Sequence, residues 1–179
     1  MNTSVIDRKV VLTKIIAVLA AVAASVALPQ IFHAIGVISG TGSAVGAAFL
    51  PMHIPVILAG MLFGPVVGLT AGIISPLVSS LISGMPVAAI LPFIVVELAV
   101  YGLVSGLLCK SGINSFVKLL IVQLAGRAAR ALAVVAAIYA FGNEKLTLAS
   151  IGEFIVAGIF GIIIQWMFIP LCVERFKRN

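Results

Sequence analysis

Charge is what this chain has least of. Only 9% of its 179 residues are charged, and just five of those are Asp or Glu. With five carboxylates and two histidines, the paired acid and base groups of most hydrolytic sites have little to be built from. No HExxH, GxSxG or phosphate-loop spacing occurs, so metalloprotease, hydrolase-elbow and nucleotide chemistry each lack their residues. The two cysteines, Cys109 and Cys172, have neither metal-ligand nor disulfide-framework spacing. Both fall near expected cytoplasmic span ends, where thiols stay reduced. No catalytic residue, metal or cofactor is expected. There is also no linker and no acidic or low-complexity tail, so 1–179 reads as one transmembrane domain.

What the chain has is apolar length. Hydrophobic residues make up 63% of it, more than a soluble core could hide. A span needs roughly 20 mostly apolar residues to cross about 30 Å of hydrocarbon. Six stretches qualify: 10–28, 44–62, 66–83, 88–108, 116–141 and 150–173. A barrel's alternation is absent, and lipid forces backbone groups to pair within their own segment, so the expected class is all-α, a bundle of six transmembrane helices. Turn residues separate the spans: Pro29 and "GVISGTGSAVG", then Gly64 with Pro65, then Gly84 with Pro86, then "CKSGIN" and "FGNEK". Gly60, Gly64, Gly68 and Gly72 recur every four residues, but the turn at Pro65 interrupts them. They read as small residues for close packing rather than as one stripe.

Lys and Arg set the orientation. Arg8, Lys9, Lys14, Lys110, Lys118, Arg175, Lys177 and Arg178 all fall on one side of a six-span chain, against Lys145 on the other. Both termini are therefore expected in the cytoplasm, and the formal charge of +6 reads as topology and headgroup attraction, not as a nucleic-acid footprint. The basic start and the "SVA" ending at Ala27 resemble a cleavable signal, but the long apolar run favours a retained first span.

Ionisable groups at bilayer depth mark a pathway, a site or a partner. On the fifth span Gln123, Arg127 and Arg130 share one helix face. At about 1.5 Å per residue, Arg127 lies roughly 16 Å in from Phe116, and Glu97 on the antiparallel fourth span lies roughly 14 Å in from the outer end. Glu97 and Arg127 thus share a depth and are expected to pair; the sequence leaves open a pair with Arg130 instead, or a contact from Glu97 to a ligand. With Glu97 paired, one guanidinium is surplus, and its planar fork suits a carboxylate or phosphate reached through a solvent-open cavity. Tyr101 shares the Glu97 face, and Gln165 and Trp166 on the last span are candidates for the same cavity, or for packing and interface anchoring. Glu153 is expected at headgroup level.

The stretch "FLPMHIPVILAG" lies at the outer mouth of the second span. Pro51 and Pro55 forbid a regular first turn, so the helix is expected to begin at or after Ile54. Irregular backbone at this depth survives only against protein or a water-filled cavity. Phe49, Met52 and His53 are therefore expected to line a rim, with His53 bonding a ligand or capping backbone groups. His33 is expected to be solvated.

"FLPMHIPVILAGMLFGPVVGLTAGIISPLVSSLISGMP", followed by "VELAVYGLVSGLL" and "QLAGRAARAL", resembles the substrate-binding S components of energy-coupling factor (ECF) vitamin transporters, over roughly residues 10 to 173. The resemblance implies a six-helix membrane fold in a prokaryotic plasma membrane that captures a vitamin from outside. It then docks on a transmembrane coupling protein and two ATPase subunits, which agrees with the lack of a nucleotide motif. It also implies small residues on the first helix at the coupling contact, here Ala17, Ala21 and Ser25 or else Ala20 and Ala24. The ligand pocket would be bounded by Phe32 through Gly46 and by Gly84 through Pro86. Gly40, Gly42 and Gly46 would let the first connection act as a lid, or simply flex.

Two interior arginines against one glutamate favour a small anionic vitamin, and the motif block most resembles pantothenate-type members. Similar blocks serve lipoate, pyridoxine-like compounds, queuosine precursors or cobalamin fragments. A stand-alone secondary carrier is the rival class, though one interior Glu is thin for its own ion coupling.

Overall fold

The computed structural model describes residues 3–41, 49–143 and 146–178; Gly42, Gly46 and Lys145 lie outside the described residues. These residues form helices only: α1 (Thr3–Ile38), α2 (His53–Phe63), α3 (Pro65–Ser83), α4 (Leu91–Leu107), α5 (Ser115–Tyr139), α6 (Ala149–Ala157) and α7 (Ile159–Arg178). By length and composition four stretches can cross a membrane: Arg8–Ile38, Pro65–Ser83, Ser115–Tyr139 and Ile159–Phe176. The apolar helices α2 and α4 are shorter, at 11 and 17 residues.

The distribution of polarity is inverted relative to a soluble protein. Glu97, Arg130, His53, Gln123, Gln165 and Lys118 are buried, whereas Leu19, Ile31, Leu124, Leu132, Ile163 and Met167 are more than half exposed. Large apolar side chains facing outward around a polar interior fit a hydrocarbon solvent.

Three expected boundaries differ. The first helix does not stop at Pro29 but runs through it to Ile38. A proline removes one N–H and leaves the carbonyl four residues back without its donor; here that residue is Ser25, which is fully buried and whose hydroxyl donates to the Met52 carbonyl at 3.3 Å. The second helix starts at His53, one residue earlier than Ile54, with Pro55 in its first turn, where a missing N–H costs nothing. The last expected span, 150–173, is two helices meeting at Gly158.

Turn chemistry follows the sequence closely. Gly64 links α2 to α3 at φ 96° and Gly84 ends α3 at φ 69°, both in the left-handed region that glycine adopts without strain. Pro65 opens α3, and the Asn114 side chain accepts from the Phe116 N–H at 2.8 Å to cap α5.

Helix α4 is central, packed against α2, α3 and α5. Glycines permit this. A Cβ at Gly68 would run into the Gly102 backbone, one at Gly102 into the Gly68 backbone, one at Gly72 into Leu98, and one at Gly60 would lie 2.6 Å from the Gly102 carbonyl oxygen. The four-residue glycine spacing therefore does act on one partner: the turn at Gly64 folds α2 and α3 so that both present glycine to α4. Close backbone approach gives membrane helices dispersion contacts that burial from water cannot supply. Beside this seam, Val56, Ile57, Leu98, Leu119 and Val122 fill the interior, and Ala17 and Ala21 of α1 pack on Ala59, Val67 and Ala71.

Gly102→Val is expected to destabilise the protein by about 2 kcal/mol or more, because backbone must move to admit the side chain. Gly112→Ala, with open space around it, should stay within about 0.5 kcal/mol of wild type. Thermal unfolding in detergent distinguishes them; equal melting temperatures would refute the seam's role.

Candidate functional site

One carboxylate organises the interior. Glu97 on α4 is fully buried, and Arg130 on α5 donates from Nη1 to its Oε2 at 2.7 Å. Arg127 Nε stands 3.4 Å from Oε1, Tyr101 donates its hydroxyl to Oε1 at 3.2 Å, and His53 Nε2 lies 3.7 Å from Oε2, too long for a hydrogen bond. The expected partner at equal depth was Arg127; the shorter, hydrogen-bonded contact is with Arg130. Spacing explains it: Glu97 and Tyr101 lie one turn apart on one face of α4, and Arg127 and Arg130 one turn apart on α5, so four side chains meet where the two faces touch.

Arg127 has a second anchor. It donates from Nη1 to the Phe154 carbonyl at 3.1 Å. Within a continuous helix that carbonyl would take the Gly158 N–H, but at the break this N–H turns to Val156. A Cβ on Gly158 would lie 2.7 Å from Arg127 Nη2, so the glycine also makes room for the guanidinium. Arg130 in turn lies over the Phe154 ring, 4.1 Å from its centroid, a cation–π contact. Arg127 Nη2, Arg130 Nε and both ring nitrogens of His53 are buried without a hydrogen-bond partner.

A cavity of about 250 Å³ opens beside this cluster. Arg130, His53 and Met52 line it; Arg127, Glu97 and Tyr101 stand behind. Its other walls are Pro29 and His33 of α1, Ser79 of α3, Ile94 of α4, Phe154 of α6, and Leu50 with Pro51 before α2. His33 is thus a half-buried wall residue and not a solvated one. Helices α1, α3 and α5 contribute from their C-terminal halves and α2 and α4 from their N-terminal halves, so the cavity occupies one end of an antiparallel bundle. The turn after α3 closes one side with Met85 and Pro86, held by Ser79 and Ser80, whose hydroxyls donate to the Met85 and Pro86 carbonyls at 2.7 and 2.9 Å. The opposite side is Leu50, at φ 47° the one non-glycine among the described residues with a left-handed backbone.

Other predicted site residues gather elsewhere. Gln123 donates to Gln165 Oε1 at 3.0 Å and accepts from the Trp166 indole N–H at 2.6 Å, joining α5 to α7 away from the cavity wall. Phe49 stacks between Phe32 and Phe160, with centroids 5.1 and 6.5 Å away. On α1, Ala17, Ala21 and Ser25 are buried against α2 and α3, while Ala20 is exposed and Ala24 half-buried. The wall residues not foreseen, Ile94, Ser79 and Phe154 among them, belong to ordinary apolar or serine patterns; only the proline-rich turns flagged their neighbourhood.

The helices and the end-on cavity define a multi-pass membrane protein with a pocket sized for a small molecule and one buried guanidinium in its wall. A family model described as "ECF transporter, substrate-specific component" matches residues 8–175. The chain belongs to that family: it is a transporter's substrate-binding component that works with an ECF module, and the family is not one of enzymes. No curated protein and no solved structure matches it.

Gln123→Leu strips Trp166 of its acceptor and is expected to cost about 1–3 kcal/mol. Tryptophan fluorescence should change with it, since Trp166 is the one tryptophan of the chain. Ligand retention should persist; its loss would place Gln123 in the site.

Proposed function

We propose that this protein is the high-affinity binding subunit of an ATP-driven uptake transporter in a prokaryotic plasma membrane, and that its cargo is a small anionic vitamin of the pantothenate type. The observation that carries this reading is Arg130, 8% exposed, in the wall of an apolar cavity with its Nε unpartnered. Arg127, Arg130 and Glu97 together leave one positive charge over, which a ligand carboxylate would complete through the guanidinium fork. Apolar walls with few convergent polar groups are the usual make-up of such pockets.

In this reading the chain crosses six times, with α6 and α7 as one broken span, and both termini are cytoplasmic. Support comes from the basic residues at the ends and in the α4–α5 connection, which share the face opposite the cavity. The cavity then opens outward, with Leu50 and the Met85–Pro86 turn at its mouth. A coupling protein would bind the other end. There Ala20, beside Ala17 and Ala21, lines an apolar groove of about 330 Å³ between α1 and α2. Small residues at that spacing admit a helix closely. Two ATPase subunits would supply the hydrolysis for which this chain has no motif.

Lipoate is the second reading, favoured by the apolar lining of Leu50, Met52, Ile90 and Ile94, which suits a short hydrocarbon chain ending in a carboxylate. Pyridoxine-like compounds, queuosine precursors and cobalamin fragments stand behind it, and a stand-alone carrier last.

Native mass spectrometry of the purified protein is expected to show a retained small acid. Arg130→Ala should abolish retention and Arg130→Lys weaken binding at least about tenfold, with helical content unchanged by circular dichroism. Full retention in Arg130→Ala would refute the site, and substrate movement in vesicles containing this chain alone would refute the division of labour.

A further inference from the structure

We propose that Glu97 is a resident counter-ion which the ligand's anionic group displaces from Arg130, and that His53 receives the displaced carboxylate. The inference rests on the anionic-ligand reading above and deepens it: Glu97 would set the affinity and charge preference of the site without touching the ligand.

The geometry is specific about which ion pair can open. Of the two guanidiniums on Glu97, Arg130 lines the main cavity, whereas Arg127 stands behind and is tied to the Phe154 carbonyl. Oxygen Oε1 is held by Tyr101 at 3.2 Å and faces Arg127 at 3.4 Å. Oxygen Oε2 has Arg130 at 2.7 Å and His53 Nε2 waiting at 3.7 Å. His53 is 4% exposed, lines the cavity, and has no hydrogen bond on either ring nitrogen. A buried imidazole with two idle nitrogens is costly where it stands. A movement of about 1 Å by Oε2 would bring it within hydrogen-bond range of Nε2, while Oε1 keeps Tyr101 and Arg127.

The loaded site would then balance its charges, and the empty one carries the single positive charge already noted. When empty, Glu97 is shared by Arg130 and Arg127, so neither guanidinium stands without an anionic neighbour. When loaded, a ligand carboxylate takes the Arg130 fork, Glu97 remains with Arg127, and the two negative charges face two guanidiniums. A neutral analogue offers no exchange, so Glu97 penalises only anions, by the cost of breaking its own pair.

The test uses full-length protein in detergent and matched probes differing in charge: pantothenate with panthenol, lipoate with lipoamide, biotin with biotinamide, and nicotinate with nicotinamide, each titrated by calorimetry. Wild type should prefer one acid over its neutral partner. Glu97→Gln, which removes the competing charge, should tighten that acid at least about tenfold while leaving the neutral partner within about threefold. A parallel loss for acid and neutral partner would overturn the exchange, since it would mean that Glu97 contacts the ligand or merely holds the fold. Unchanged acid affinity would overturn it too. A wild type preferring no acid over its neutral partner sinks the exchange together with the anion reading.

Infrared difference spectroscopy of wild type carrying ¹³C-glutamate keeps the question open to refutation if Glu97→Gln does not fold. Glu153 and Glu174 are exposed, and Glu144→Gln in the same labelled protein removes the one other glutamate, so a buried-carboxylate band reports Glu97. Adding the preferred acid should shift that band and adding the neutral partner should not; a band unmoved by the acid would overturn the proposal.

Discussion

A single carboxylate shared by two guanidiniums is the constraint around which this bundle is built. Ions taken out of water lose several kcal/mol of hydration each, and removing one partner from a buried pair costs about 3–5 kcal/mol. Helices α4 and α5 must therefore keep the register that puts Glu97 against Arg127 and Arg130. The requirement spreads outward. Tyr101 fixes one oxygen of Glu97, the start of α2 brings His53 alongside, and the break between α6 and α7 exists where Arg127 needs a carbonyl.

Bringing those groups together depends on how closely the helices approach. Glu97 lies between Phe93 and Tyr101 on a helix that meets α2 and α3 through glycine, and Gly126 on α5 leaves the space that the Tyr101 ring occupies. With side chains at these positions α4 would stand off from its neighbours and the carboxylate would lose its partners. The glycine seam and the ion cluster are thus one device: packing without side chains on one side of α4 delivers a charge on the other.

The all-α class and the interior face of α5 were legible in the sequence because they follow from apolar run length and 3.6-residue periodicity, whereas six spans were expected and the described residues form seven helices, four of them long and apolar enough to cross a membrane. Pro29 was misleading, since a proline ends a helix only where nothing else stabilises the continuing turn, and α1 packs on α2 and α3 there. The break at Gly158 had no local signal: glycine is common in membrane helices, and the need for a carbonyl at Arg127 arises only from tertiary contact. The same limit separated Arg130 from Arg127. Both lie on one helical face, and which one meets the cavity depends on where α6 and the α3–α4 turn come to rest. Gln123 shares that face yet turns to Gln165 and Trp166, because a helix face of nearly two turns serves different neighbours along its length.

That stacking along α5 bears on how the protein works. Arg130 is nearest the cavity, Arg127 stands behind it, and Gln123 one turn further on bonds across to α7. Around and beyond it Leu119, Val122, Val56, Ile57 and Leu98 are all fully buried. Lys118, also buried, donates to the Cys109 and Ser111 carbonyls and closes the end of α4. A molecule resting on Arg130 therefore has an amide cluster and then close-packed hydrocarbon beneath it. Moving onward along the bundle axis would mean parting α4 from α5 at the ion cluster. On the proposed function, a chain built this way would hold its ligand and leave the passage onward to other subunits.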